Sequence, residues 1–439
     1  MTQQSGSPAS SGGDVESRTL LVEGGHVLRG RIDVEGNKNA ALPMLAACLL
    51  TDEVCELTNV PRIRDVGVMI ELLESLGAEV TGAGSTTVTV RCAEVSGTEP
   101  DARLVGRLRG SVLLVGPLLA RTGSVRLPPP GGDFPGRRTL TSHLDALRQM
   151  GAFENAGDPG EDAHEITAPD GLKSASFYLE EASVTGTETA LLAAAAAEGP
   201  TELRHAACEP HVVELCRFLE AMGAAVSGAG TSTIRIHGNS RLSGATHRLR
   251  GDYIEAGSWA VMTAVTSGDI TIGGVEEEDL EPILAILTRM RVDCGFEHGR
   301  LLVRPSRLTG IRQITTAPWP GFPSDMVSLV SVLATQATGR TLIHDWMYEL
   351  RLFALEQLSG MGADLFLCDP HRMIVNGPQS LRGRHLDTRD LRSGMALIAA
   401  ALAAHGTSRV GPLETVERGY AHVVARLRRL GAQVSIEGS

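Results

Sequence analysis

Three basic residues stand where helix physics disfavours them. Lys38, Arg109 and Arg392 fall in the openings of small apolar segments that read as helices: Asn37-Lys38-Asn39-Ala40, Leu108-Arg109-Gly110-Ser111 and Asp390-Leu391-Arg392-Ser393. A cation at a helix N-terminus opposes the helix dipole. Three such placements in equivalent positions predict an anion among them, held also by free backbone N–H groups. The other openings carry Ser183, Asp252 and Asp325, for which N-capping is the plain alternative to a ligand role. A further cluster lies in the stretch Leu127 to His143, where Asp133 is followed by Arg137 and Arg138. Its prolines and glycines exclude helix and inner strand. It reads as a loop leaving a strand and feeding a helix that begins near Thr141. One acid and paired guanidiniums suit a lid over an anionic substrate; a solvated surface loop is the alternative.

The elements that position these residues repeat. A helix-like segment ending in a Gly-Ala pair, then a strand, recurs at Leu76-Gly77-Ala78, Met150-Gly151-Ala152, Met222-Gly223-Ala224, Met361-Gly362-Ala363 and Leu430-Gly431-Ala432. Met290-Arg291-Val292 is a degenerate copy. The spacing is roughly seventy residues, longer than ordinary solenoid periods. Each glycine sits where a helix should stop in the left-handed conformation. Each unit also holds an earlier helix, opening at Asn37, Leu108, Ser183, Asp252, Phe322 or Asp390, with a body that is apolar on nearly every face, as in Ala40 to Leu50 and Met395 to Ala404. Helices apolar all round are buried. The unit is therefore strand, buried helix, strand, amphipathic helix, strand pair. Three units can pack their buried helices inside a ring of sheets, and six make two similar domains.

Composition bounds the partners. The chain has 439 residues, 42% hydrophobic and 21% charged, which is globular and long enough for more than one domain. Aromatics at 3% argue against stacking platforms, and a net charge of −12 disfavours nucleic acid and anionic membranes. An acidic chain still binds an anion if its cations converge in one cleft. The seven cysteines are scattered, without a C-x-x-C pair, which fits neither a zinc site nor a disulfide framework and suits a reducing cytoplasm. No apolar run reaches membrane length. The Ser/Gly-rich start reads as a disordered tail over residues 1–19. No metal-ligand cluster and no cofactor motif is present, and no segment specifies an oligomeric state.

In combination, Gly36-Asn37-Lys38-Asn39-Ala40-Ala41, Pro130-Gly131-Gly132-Asp133, Ser183-Val184 through Thr187-Glu188, Phe322-Pro323-Ser324-Asp325-Met326, Asp390-Leu391-Arg392 and Glu417-Arg418-Gly419-Tyr420 resemble the enolpyruvyl transferases. The resemblance extends from Leu20 to Val434. It implies two inside-out α/β barrel domains of three units each. Residues 20–37 and 250–439 would form one and residues 38–249, with the lid loop, the other. It also implies the reaction: the enolpyruvyl group of phosphoenolpyruvate moves to a hydroxyl and phosphate leaves. The motifs are most similar to the branch whose acceptor is the 3-hydroxyl of UDP-N-acetylglucosamine, at the start of peptidoglycan precursor synthesis.

By the same resemblance, Lys38, Arg138 and Arg418 match phosphate-side groups, and Arg109, Arg351 and Arg392 the wider basic cluster for phosphoenolpyruvate. Guanidinium forks suit such oxyanions. Asp133 occupies a lid position that is usually Cys and in some members Asp, where it would protonate the methylene. Asp325 matches the base that takes the acceptor proton, and Lys38 completes the catalytic set. Asn39, Arg109, Arg138, Thr139, Leu140, Ser183, Val184, Thr185 and Asp325 would hold the nucleotide sugar. Two departures bear on the acceptor. Arg138-Thr139-Leu140-Thr141-Ser142 stands where the family usually has Arg-Pro-x-Asp, and Thr185 replaces a usual Gly. The first favours an alternative acceptor, a ribose hydroxyl of a uridine nucleotide such as UMP, as in nucleoside-antibiotic pathways. A non-catalytic paralogue that binds the sugar nucleotide is the third reading; the intact acid and base count against it. For Arg351 a surface position and for Glu255 a structural role are the alternatives, and His143 is given no role.

Overall fold

The computed structural model describes residues 17–131, 139–155, 162–348 and 351–437. Six small sheets lie among them. Five share one pattern, a parallel strand pair extended by two antiparallel neighbours. In one of these, Ser176–Tyr178 runs parallel to Gly199–Arg204, which pairs antiparallel with Thr233–Gly238 and through it with Ala225–Ser227. The sixth has three strands, Ser124–Leu127, His164–Thr167 and Phe153–Asn155. Where the others have their parallel strand, Arg126 N donates to Thr98 O at 2.9 Å.

Each unit carries one buried helix: α1 (Lys38–Ala47), α2 (Val115–Thr122, preceded by the 3₁₀ turn Arg109–Leu114), α3 (Val184–Ala196), α4 (Tyr253–Val265), α5 (Val327–Gln336) and α6 (Leu391–Ala403). These bodies are Ala, Leu, Val and Met on every face, so no face can be left to water. Helices α4, α5 and α6 pack on one another, while α1 and α3 both pack against the turn that leads into α2. The buried apolar residues form two clusters. One draws on Ala40 through Leu249, joined by Ala421; the other on Leu20 through Val34 and Tyr253 through Val434.

The chain passes between the clusters twice, side by side. Strand Arg29–Asp33, which precedes α1, pairs with Asp269–Gly273 after α4; Thr246–Arg248, which precedes α4, pairs with Cys55–Thr58 after α1. Gly36 bridges Gly251, and Asn37 N donates to Arg250 O at 2.8 Å. A Cβ on Gly251 would lie 1.7 Å from Gly274 O, so only glycine fits where this passage crosses the end of the strand Asp269–Gly273.

The helix stops are as the repeat predicts. Gly77, Gly151, Gly223, Gly362 and Gly431 all have φ between 88° and 108°, and Arg291, in the degenerate copy, is forced to φ 61°. Of the expected tail, residues 1–16 lie outside the described residues, and its end departs from the expectation: Thr19 opens the strand Thr19–Glu23 and Arg18 Nε donates to Glu414 at 2.8 Å. That strand sits between Thr407–Gly411 and Gln433–Glu437, so the first strand completes the last unit.

Candidate active site

The buried helices start at a common cavity of about 960 Å³, and both apolar clusters contribute to its walls. Lys38, Asn39, Arg109, Thr139, Leu140, Val184, Thr185, Asp325, Arg351, Arg392 and Arg418 all line it. Of the predicted site residues that are described, only Ser183 does not. Its hydroxyl accepts from Gly186 N at 3.2 Å, so it is an N-cap. Asp133 and Arg138, with Arg137, lie outside the described residues. The flanks of their loop are as expected: strand Ser124–Leu127 before and helix Thr141–Gln149 after.

Two carboxylates organise the cations. Asp65 accepts from Lys38 Nζ at 2.6 Å and from Arg418 Nε and Nη2 at 2.8 and 3.2 Å. Burial works against both charges of the Lys38–Asp65 pair. It leaves Lys38 below its usual range despite Asp65, while Lys38 and Arg418 overcome it at Asp65 and hold that carboxyl low. Asp325 takes Arg351 Nη1 on one oxygen at 3.2 Å and Arg392 Nε and Nη2 on the other at 3.0 and 2.8 Å. Burial opposes the charge of Arg392, yet Asp325, Tyr420 and Asp252 hold the guanidinium protonated. Tyr420 OH accepts from Arg392 Nη1 at 3.1 Å, and the Tyr348 ring lies 4.4 Å beneath the Arg351 guanidinium. Arg109 Nη2 donates to Thr139 O at 3.0 Å, tying α2's leading turn to the end of the Asp133 loop.

The alternatives left open for single residues resolve by partner. Asp252 is a cap, accepting from Ile254 N and Glu255 N at 2.9 and 3.0 Å, and its second oxygen takes Lys38 N at 3.3 Å. Asp325 lies inside the turn Ser324–Met326, whose N-cap is Pro323, and its carboxylate is held by Arg351 and Arg392. Arg351 is buried rather than on the surface. Glu255 is structural, bonded by Trp259 Nε1 and Arg426. His143 is buried between Thr189 Oγ1 at 2.9 Å and Thr185 Oγ1 at 3.2 Å, and burial with nearby Arg109 lowers its pKa to about 3.

Sequence reasoning missed Asp65, Glu188's place in the lining, Glu209, His211 and Tyr253. Asp65 opens an amphipathic helix, Arg64–Ser75, and reads there as a dipole-matching acid. Its partner Arg418 is 353 residues away, so no local spacing signals the pair. Glu209 precedes Pro210 at a helix start and looks like punctuation.

Five fixed cations and a carboxylate around the cavity at which the buried helices open, in a six-unit α/β frame, define a protein built to hold an oxyanion-bearing substrate. The chain belongs to the enolpyruvyl transferases: the family described as EPSP synthase (3-phosphoshikimate 1-carboxyvinyltransferase) matches residues 22–437. The UDP-N-acetylglucosamine 1-carboxyvinyltransferase of Bradyrhizobium diazoefficiens is 44% identical, covering 94% of this chain and 97% of its own. That of Treponema denticola is 41% identical, covering 95% and 99%. Among solved structures, the enolpyruvyl transferase NikO from Streptomyces tendae superposes with TM-score 0.86 at 26% identity, covering 96% of this chain and 99% of that one. EPSP synthase from Acinetobacter baumannii, at TM-score 0.74 and 20% identity, shares the fold. This α/β fold and enolpyruvyl transfer agree with the expectation from the motifs. Among the described residues no helix is long and apolar enough to cross a membrane.

Proposed function

We propose that this enzyme transfers the enolpyruvyl group of phosphoenolpyruvate to the 3-hydroxyl of UDP-N-acetylglucosamine and releases phosphate, the entry step to peptidoglycan precursors. The observation that carries the reading is the convergence of Lys38, Arg109, Arg351, Arg392 and Arg418 with Asp325 on one cavity, in a chain 44% identical over most of its length to a relative of that name. Phosphoenolpyruvate brings a phosphate and a carboxylate. The Lys38–Arg418 pair and the Arg351–Arg392 pair, each only half neutralised by one internal carboxylate, offer two oxyanion seats. Residues 20–37 with 250–439 and residues 38–249 act as two domains that close over the substrates.

In the first step Asp133 gives a proton to the methylene carbon, and carbon 2 gains oxocarbenium character. Asp325 takes the acceptor hydroxyl proton as the C–O bond forms. In the second step the methyl group returns a proton to the Asp133 carboxylate, the double bond re-forms, and the C–O bond breaks with its electron pair leaving on phosphate. Asp133 requires a pKa raised by closure and desolvation to hold its proton at neutral pH. Asn39, Thr139, Leu140, Val184 and Thr185, which line the cavity, would hold the nucleotide sugar.

The test is phosphate release from phosphoenolpyruvate with UDP-N-acetylglucosamine and UMP offered in parallel. Turnover with the sugar nucleotide is expected. Turnover with UMP alone would transfer the reading to a nucleotide ribose acceptor, with the Thr139–Ser142 departure as the cause. Binding of UDP-N-acetylglucosamine without turnover of either acceptor would favour the non-catalytic reading. In Asp325→Asn, which keeps shape, turnover should fall by about 10²–10⁴-fold, the usual contribution of a general base.

A further inference from the structure

Arg418 meets the cavity from a slight support. The helix before it, Leu413–Glu417, has 5 residues, and its N-cap Pro412 makes no side-chain cap bond. So short a helix is marginal by itself and must be held from outside. Leu413 and Val416 are buried and anchor it on the core. Its two acids, Glu414 and Glu417, are held by Arg18, 396 and 399 residues earlier in the chain. Arg18 Nε donates to Glu414 Oε1 at 2.8 Å, and Arg18 Nη2 donates to Glu417 Oε2. The main chain joins in: Arg18 N donates to the same Glu414 oxygen at 3.3 Å, and Arg18 O accepts from Leu413 N at 2.8 Å. Arg18 is itself fixed, because the strand Thr19–Glu23 begins at the next residue and lies between two neighbours.

This turn carries contacts to both oxyanion seats. Arg418 is its C-cap and directly follows Glu417. Gly419 N and Tyr420 N both donate to Val416 O, at 3.2 and 3.1 Å, which ties residues 418–420 to the turn. Arg418 lines the cavity and holds Asp65, while Tyr420 OH takes Arg392 Nη1. Arg18 also balances the turn's charge. Burial works against the Glu414 carboxylate, yet Arg18 holds it below its usual range. Without Arg18, Glu414 and Glu417 stand three residues apart on one helix and repel. A guanidinium recognises an oxyanion through a directional fork, so a small rotation of its backbone misaims it. The plain alternative is an ion pair that adds a little stability and nothing else, since the Arg18 side chain is 33% exposed.

We propose that Arg18 is a positioning residue for phosphoenolpyruvate: from the first strand it fixes the turn Leu413–Glu417 so that Arg418 aims its guanidinium at the substrate's oxyanion. Arg18 does not line the cavity, so it acts through Arg418. The proposal rests on the reading of this cavity as the phosphoenolpyruvate site.

The test compares wild type with Arg18→Ala, Arg18→Lys and Glu417→Gln. Phosphate release is measured with phosphoenolpyruvate and UDP-N-acetylglucosamine varied in turn, and phosphoenolpyruvate is titrated by calorimetry. Thermal midpoints and hydrogen exchange of residues 413–420 are read on the same samples. Arg18→Ala should raise the KM for phosphoenolpyruvate about tenfold, less than the roughly 10²-fold that a misplacement of about 1 Å can cost. The KM for the sugar nucleotide should change less than about twofold, and exchange should quicken at residues 413–420. Arg18→Lys, which keeps a charged donor, should recover part of the loss. Glu417→Gln should shift the same KM in the same direction, and it decides the matter if Arg18→Ala does not fold. A lowered thermal midpoint with both KM values unchanged overturns the proposal and leaves a stabilising ion pair. Equal rises in the two KM values overturn it as well. If wild type shows no turnover, the transferase reading fails and the titration decides: weaker phosphoenolpyruvate binding in Arg18→Ala upholds the assignment. Unchanged affinity, or a wild type that does not bind phosphoenolpyruvate, overturns it.

Discussion

At the scale of residues, each internal carboxylate holds a pair of cations ready, and its removal should be felt. Asp65→Asn leaves Lys38 and Arg418 facing each other without their shared acceptor. A buried pair broken from one side costs about 3–5 kcal/mol, read as a lowered denaturant midpoint. Because Asp65 titrates below its ordinary value of 3.8, its contribution is present above that pH and is lost as the pH falls further. The gap between wild type and Asp65→Asn should therefore close on acidification below about pH 4. The buried histidines act in a higher window. His143 and His211 titrate at about 3 and about 4, against 6.5 unfolded. Between these values the unfolded chain binds more protons, so stability should fall as the pH drops from 6.5 toward 4. Chemical denaturation in pH steps should show that slope, reduced in His143→Gln. A stability profile flat across the window would show that these rings are protonated in the fold.

At the scale of elements, the repeat is a device for presenting helix openings to one cavity. An all-apolar helix must be buried, so its polar opening becomes the one place where it can meet a ligand. Capping and chemistry divide the openings: Asn37, Ser183, Asp252 and Asp390 cap, while Lys38 and Arg392, one and two positions on, reach inward. The amphipathic helices stop at left-handed glycines, except at exposed Arg291. A side chain in that conformation costs about 1–2 kcal/mol, part of which glycine returns as unfolded-state entropy. Arg291→Gly should therefore stabilise by roughly 0.5–1 kcal/mol, seen as a higher thermal midpoint with unchanged turnover. A lower midpoint would mean that the arginine side chain contributes more than its backbone costs.

At the scale of the whole molecule, charge is distributed against its average. The chain carries a net −12, yet five cations converge on one cavity. Focusing of this kind attracts an anionic substrate locally and is screened by salt. The KM for phosphoenolpyruvate should rise as ionic strength goes from about 0.05 to about 0.5 M, where the screening length shrinks below the cavity's dimensions. A KM independent of salt would place the binding energy in buried contacts alone. The twin passages at Gly36 and Gly251 are the covalent links between the two apolar clusters, and Asp65–Arg418 is a non-covalent one. Closure over substrates would turn about the first and remodel the second.

The sequence alone determined the repeat, the buried helices, the helix stops and the cations at helix openings. These are properties of periodicity and of backbone conformation, which neighbours in the chain decide. The family motifs added the reaction. Tertiary structure alone decided which polar openings are caps and which face the cavity, because Ser183 and Asp325 look alike in sequence and differ only in partner. It also decided Asp65 and His211. An acid at a helix start and a histidine one residue after a proline are unremarkable locally. Asp65 gains its meaning from Lys38 and from Arg418, hundreds of residues away, and His211 from burial without a partner. Pairing across two apolar clusters depends on how the clusters sit against each other, and no local pattern encodes that.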